Sequence, residues 1–342
     1  MGRRRSEAVT LTDVARRAGV SVSTASKALN NRSEVAETTR LRVRRAAAEL
    51  SFRPGAAPGW AAARTRTVGL LTDERDGRLS MPVLLGVERA LDGEGMSVVL
   101  CDARGDPRRR EHHLRALAAG RVDGLVVLGE DDDVRPSLSR DVPVPVVYVH
   151  GESDDPADLS ILADDAGGAR LAAEHLLSLG RRRVGHITGP RSHRAARDRL
   201  AALRAVLDGY GLGLAGGRPL HGEWSRRWGR HATRALLAAE PGVDAILCGN
   251  DQIADGVCQA LAHLGRTVPG DVAVVGHGDW PALAADCRPP LTTVDPGLER
   301  LGATAARHLS AALDGRRASG VVRGPGRLVI RESTGPRDGD EP

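Results

Sequence analysis

Residues 10–30 read TLTDVARRAGVSVSTASKALN, and this stretch decides the N-terminal fold. Its spacing predicts a helix, a tight turn and a second helix. Val14, Ala15, Ala18, Val20, Ala25 and Leu29 recur at helical intervals and can form one buried face. Gly19 falls between the two runs, where a helix-ending left-handed residue belongs. Ser21 can cap the second helix, Val22–Leu29, by accepting a backbone N–H. That helix turns Val22, Ser23, Ser26 and Lys27 outward. Short groups and one cation suit a helix that enters a DNA major groove. The bland alternative is a pair of core-packing helices in some other small domain.

Charge separates these alternatives. Residues 1–66 hold 14 Lys and Arg against 5 Asp and Glu, a net of +9. The rest of the chain holds 35 basic and 39 acidic residues, a net of −4. A basic head on a mildly acidic body is the footprint of phosphate binding. Lys27 is the only lysine in the chain.

The 342 residues suit two domains or more, and 27% charged with 41% hydrophobic residues is a soluble, globular balance. Seven aromatics leave the core to Ala, Val, Leu and Ile. Residues 1–10 are polar and Arg-rich, with no apolar run behind them, which implies a cytoplasmic protein without a signal peptide. Apolar runs are too short to span a membrane. Cys101, Cys248, Cys258 and Cys287 lack metal spacing and read as buried thiols.

Thr10, Asp13, Val14, Ala15, Ala18, Gly19, Val20, Ser21, Thr24, Ser26, Leu29 and Asn30 together resemble the headpiece signature of the LacI/GalR family of bacterial transcription regulators. A third helix within 35–50 continues the likeness through Val35, Thr39, Arg40, Val43, Ala47, Glu49, Leu50, Phe52 and Pro54. Ala36 stands where the family has a capping Ser, a loss of roughly 1 kcal/mol. The resemblance implies that Val22, Ser23 and Lys27 read bases. Val22 would meet a thymine methyl and Lys27 guanine O6/N7. Thr10, Ser21, Thr24, Ser26 and Asn30 would position the head on phosphates.

Residues 54–66 match the place of the family's hinge helix, which wedges paired Leu side chains into the minor groove and kinks the operator. Here Gly55, Pro58 and Gly59 break the pattern, and Ala61 replaces the wedging Leu. Pro and Gly disfavour a helix. Trp60 either packs against the body or acts as a substitute wedge; the burial habit of large aromatics favours packing.

From residue 67, β-branched runs alternate with amphipathic, Ala-rich stretches. Strands are predicted at 67–72, 96–101, 122–128, 144–149, 183–188, 244–248, 271–276 and 327–331. Helices are predicted at 82–94, 107–119, 166–179, 196–209, 228–239, 251–264 and 297–313. Such alternation implies parallel sheets with helices on both faces and a cleft at the strand C-termini. The predicted fold is an all-α helix-turn-helix headpiece (1–53), then an α/β effector-binding and dimerisation domain (67–334). That domain comprises two doubly wound, periplasmic-binding-protein-like subdomains, about 67–163 plus 295–325 and about 164–294 plus 326–334. Residues 335–342 read as a disordered polar tail.

Family landmarks then nominate the cleft. Asp164-Asp165 with Gly168-Ala169 and His175-Leu176 matches the family's DN…GA…HL block. Arg197 and Arg199 match arginines of which one or both reach the ligand, since an Arg fork holds hydroxyls or a carboxylate. Trp224 sits where an aromatic meets the effector, a flat ring suited to a sugar face. Trp228 reads as structural. Asn250 follows a strand at 245–249 and can donate and accept, while Asp251 reads as a helix cap. In Val275-Gly276-His277-Gly278-Asp279, His277 and Gly278 replace an aromatic and an Asp, passing that Asp's role to Asp279 or His277. Thr72 and Asp73 would line the opposite wall.

No nucleophile elbow, P-loop or H-E-x-x-H appears, so no catalytic residue, cofactor or metal is expected. Glu111-His112-His113 reads as a solvated helix face. The predicted function is a homodimeric repressor that binds a pseudo-palindromic operator under a small-molecule effector, a sugar by family precedent. The weighed alternatives are a ligand-binding module without DNA contact and an enzyme on a doubly wound fold.

Overall fold

The computed structural model describes residues 11–29, 35–50, 65–74, 77–117, 119 and 122–335. Its contacts divide the chain into two units, Met1–Thr65 and Arg66–Pro342.

The first unit packs three helices, α1 (Leu11–Ala18), α2 (Val22–Leu29) and α3 (Glu37–Glu49). Val14, Ala15, Ala18 and Ala25 are buried as their spacing predicts, and Ala28 joins them. Val20 and Leu29 cover the edge of this core only in part. Val35, Val43, Ala46 and Ala47 complete it from α3 and its approach. Gly19 adopts φ 64°, and the Val20 N–H reaches back to the Ala15 carbonyl at 3.0 Å, closing α1. Arg17 pairs with Glu49 at 2.6 Å and ties α1 to the end of α3.

The second unit is built on two six-stranded sheets. Its first stretch gives β1 (Thr67–Thr72), α4 (Ser80–Leu91), β2 (Ser97–Asp102), α5 (Pro107–Ala116), β3 (Gly124–Leu128) and the short β4 (Val134–Arg135). There follow β5 (Val146–Val149), β6 (Glu152–Ser153), β7 (Leu159–Ala163), α6 (Asp165–Ser178), β8 (Val184–Thr188) and α7 (Arg194–Gly209). Then come β9 (Leu220–His221), α8 (Arg226–Ala239), β10 (Ala245–Cys248), α9 (Asp251–His263), β11 (Ala273–His277) and α10 (Pro281–Ala284). The chain closes with β12 (Thr292–Asp295), α11 (Leu298–Leu313), β13 (Gly320–Gly324) and β14 (Arg327–Val329).

The first sheet runs β13-β7-β5-β3-β1-β2, all parallel. The second runs β14-β12-β11-β10-β8-β9, parallel except that β14 lies antiparallel to β12. Strands β3, β7, β8, β10 and β11 are buried along their length, as parallel strands covered on both faces must be. Helices α4 and α11 cover one face of the first sheet with Val83, Val87, Leu301 and Leu309. Helices α8 and α9 cover one face of the second, and α6 and α7 the other.

The chain passes from the first sheet to the second after β7, returns between β12 and α11, and crosses again between β13 and β14. Beyond the two-residue strands, three were not foreseen. The β7 run lies between acidic turns, β12 is only four residues long, and β13 is an edge that leaves Val321 and Val322 exposed. All four cysteines are free and buried. Among the described residues, no helix is long and apolar enough to cross a membrane.

Candidate ligand cleft and nucleic-acid interface

Helix α2 starts on a working cap. The Thr24 N–H donates to Ser21 Oγ at 3.1 Å, and the Thr24 and Ser21 hydroxyls lie 2.8 Å apart. With its start fixed, α2 turns Ala25 and Ala28 inward and leaves Val22, Ser23 and Lys27 exposed. Val22 is 43% exposed, unusual for a valine and apt for an apolar contact outside the protein. Thr24 and Ser26 are half-buried. Thr10, Asn30, Pro58, Trp60 and Ala61 lie outside the described residues.

In the second unit, a cleft of about 310 Å³ opens between the sheets, where the strand C-termini meet. Arg199, Trp224, Asn250 and Asp279 line it as the sequence suggested, and His277 joins them. Thr72, Asp73 and Arg197 are not among its lining residues. Asp73 is buried in an ion pair with Arg110 of α5, which draws it to the side of the sheet. Thr72 Oγ1 accepts from the Glu74 N–H at 3.1 Å. The Arg197 guanidinium folds back on the Ser192 carbonyl and is half exposed.

Arg199 directs all three guanidinium nitrogens at protein acceptors. Nε and Nη2 donate to Asp165 Oδ1 at 2.9 and 2.6 Å, and Nη1 donates to the Gly249 carbonyl. Its Cζ also stands 5.8 Å from the Trp224 ring centroid, within cation–π range. Burial alone would raise the Asp165 pKa, but the Arg199 charge and the hydrogen bonds it donates hold it below the usual carboxylate range. His277 Nε2 lies 3.4 Å from Asp165 Oδ1 without a hydrogen bond. Burial pushes the His277 pKa down to about 3 and that of His150 down to about 4, so both imidazoles are neutral at pH 7.

Trp224 is seated by two glycines at strand ends. A Cβ on Gly189 would collide with the indole, and one on Gly249 would stand 2.8 Å from its Cζ3. Its Nε1 donates to His193 Nδ1 at 3.3 Å. Trp228 is half-buried against the core, with Nε1 donating to the Thr188 carbonyl at 3.0 Å. The cap of α9 is Asn250, not Asp251, because Asn250 Oδ1 accepts the Ile253 N–H at 2.8 Å. Asp251 instead takes the Thr293 hydroxyl at 2.5 Å and the Trp280 N–H at 2.9 Å, and so holds the Gly278-Asp279-Trp280 turn. Arg331 grips Asp279 from behind at 2.7 Å.

Direct contacts already bridge the cleft. The loop after β3 brings Asp132 Oδ1 to the Ala195 N–H at 3.2 Å and Asp133 Oδ1 to the Arg194 N–H at 2.9 Å. These carboxylates meet the N-terminus of α7, where the helix dipole favours negative charge. The Arg194 side chain pairs with Glu152 on the first half. Asp131, Asp133 and His193 have ligand atoms within 4.8 Å of one another. However, His193 Nδ1 accepts from Trp224, which puts the neutral ring's proton on Nε2 and leaves no lone pair for a metal.

Asp132, His150, Asp165, His193 and Trp280 line the cleft but were not nominated. Most follow a strand or open a helix at the C-terminal edge of a sheet, a positional signal available once the strands are placed.

The architecture is one that comparison recognises. Residues 10–55 match the family of bacterial regulatory proteins, lacI family, and residues 173–334 match the periplasmic binding protein-like domain. The ribose operon repressor of Escherichia coli (strain K12) is 36% identical over 301 residues, spanning 86% of this chain and 89% of that one. The chain belongs to the LacI family.

A second family member, the HTH-type transcriptional repressor PurR of Photobacterium profundum, is 30% identical over 95% of this chain and 98% of its own. Among solved structures, the LacI-family fold recurs in the CelR–cellobiose complex, with TM-score 0.68, 30% identity and coverage of 95% of this chain and 99% of that one. It recurs in the lac repressor dimer bound to operator and the anti-inducer ONPF, with TM-score 0.67, 29% identity and coverage of 96% and 100%. These relatives are named as regulators, not enzymes. His277 and Asp165, which the family likeness left as separate motifs, lie side by side in this chain at 3.4 Å.

Proposed function

We propose that the chain is a homodimeric, sequence-specific DNA-binding repressor of the bacterial cytoplasm, controlled by a sugar or related metabolite in the cleft. The observation that carries this reading is the capped α2 helix with Val22, Ser23 and Lys27 exposed, in a segment of net charge +9. Val22, Ser23 and Lys27 read bases, and Ser21, Thr24 and Ser26 fix the helix on phosphates. Thr10 and Asn30 add phosphate contacts. Arg199, Trp224, Asn250 and Asp279 serve the effector. The cellobiose bound to a structural relative supports a sugar in this role.

Dimerisation is supported by the edge strand β2, which leaves Val99 and Leu100 exposed, and by Met81 and Leu85 on the adjoining α4. Two copies joined there would present two reading helices to a palindrome. A ligand that favours one angle between the sheets shifts the population with the matching headpiece spacing.

The test is selection of fragmented genomic DNA by the purified protein near physiological salt, followed by sequencing. Enrichment of one palindrome, altered by a sugar, is expected. Salt-sensitive bulk binding alone, with and without sugars, would defeat the reading.

A further inference from the structure

The cleft contains two buried carboxylate oxygens that have no partner. Asp132 is 1% exposed; its Oδ1 accepts from Ala195, while its Oδ2 accepts from nothing. Asp165 is 2% exposed; its Oδ1 meets Arg199 twice and His277 once, while its Oδ2 also accepts from nothing. Both residues line the cleft. Native proteins rarely bury such atoms unmatched, so each calls for a donor that arrives from elsewhere.

The two groups come from opposite walls. Asp132 lies in the loop after β3, and Asp165 opens α6 on the second half. They sense each other, since burial first and then the Asp165 charge push the Asp132 pKa up to about 6. Among the described lining residues, five are carboxylic acids and two, Arg78 and Arg199, are guanidinium groups. Arg199 is already committed to Asp165 and the Gly249 carbonyl.

We infer that the effector is an uncharged, donor-rich molecule whose hydroxyls reach Asp132 and Asp165 from within the cleft, and that the site rejects its phosphorylated or carboxylated counterparts. This rests on the reading of the cleft as the effector site. Hydroxyl donors spanning the walls offset the repulsion between two like charges and so favour the closed arrangement. An anion adds a third negative charge to the pair and favours opening.

Thermal unfolding of the full chain at pH 7.5 tests this with matched probes: ribose and ribose 5-phosphate; glucose, glucose 6-phosphate and gluconate; galactose and galacturonate. At least one neutral sugar should raise the midpoint saturably, and its anionic partner should bind about tenfold more weakly or worse. In D165N and in D132N, each of which removes one of the two charges and keeps the side-chain shape, that preference should shrink by about tenfold. An anionic partner that binds as well as the neutral sugar overturns the charge inference and leaves the effector site standing. An unchanged preference in both variants overturns the assignment to these carboxylates. If no probe of either charge binds, the effector reading fails, and the inference fails with it.

Discussion

Replacing His277 with Gln tests the electrostatics of the cleft without removing its charges. His277 ends β11, is 5% exposed, and faces Asp165, Arg199, His150 and Arg78. Burial, and then the Arg199 charge, hold its pKa near about 3 against an ordinary 6.5. The folded state therefore takes up no proton on His277 at pH 5, whereas the unfolded chain does. A group depressed in this way supports the fold fully above pH 6.5, and its support falls as pH drops from there towards 3. At pH 5 the loss from His277 is about 2 kcal/mol, at about 1.4 kcal/mol per pH unit.

His150 and His186, each pushed down to about 4 by burial, add similar losses. Asp132 works the other way. Its pKa is raised to about 6, so its unfavourable burial is relieved as pH falls through that value. The relief is about 1 kcal/mol at pH 5, so these four groups together support the fold by about 5 kcal/mol less there than at pH 7.5. H277Q should lose about 2 kcal/mol less than wild type over the same interval. The assay is urea unfolding at both pH values, followed by tryptophan fluorescence, because Trp224, Trp228 and Trp280 all report on the second unit. Comparing each protein with itself at two pH values removes any fixed packing cost of the Gln. Equal pH dependence in wild type and H277Q would refute the placement of a buried neutral imidazole at this position.

Four further outcomes follow from the geometry. Ser21→Ala should destabilise the first unit by about 1 kcal/mol in thermal melts of the headpiece transition, through loss of the α2 cap. Lys27→Ala should relax discrimination at one operator position per half-site in a binding titration at fixed salt; unchanged discrimination would remove Lys27 from base reading. Arg199→Ala should cost about 3–5 kcal/mol in urea unfolding, because Asp165 is left buried without its guanidinium partner. Gly189→Ala should displace the Trp224 indole, seen as a shift in tryptophan emission and a weaker sugar response, with β8 intact.

The headpiece was almost wholly legible because its information is local. Helical periodicity, Gly19 at the turn and Ser21 at the cap each act within a few residues, and α2 begins and ends where the pattern says. The alternation of strands and helices was equally local. The missed strands were those whose character comes from their neighbours. β13 is recognisable only by its register on β7, and β12 only by its place between β11 and β14. In the cleft, Arg199, Trp224, Asn250 and Asp279 were found by motif. Thr72, Asp73 and Arg197 went elsewhere because Glu74, Arg110 and the Ser192 carbonyl claimed or met their polar groups.

By itself, then, the amino-acid order determined the two kinds of domain, the reading helix and the family, since these depend on periodicity, charge and residue spacing along the chain. Only the tertiary structure decided which charges share the cleft. Asp132 and Asp165, 33 positions apart, face one site. His277 lies 3.4 Å from Asp165 across 112 positions. The reason is physical: burial and Coulomb energy depend on distance through space, and chain crossings between two sheets set that distance, not position along the sequence.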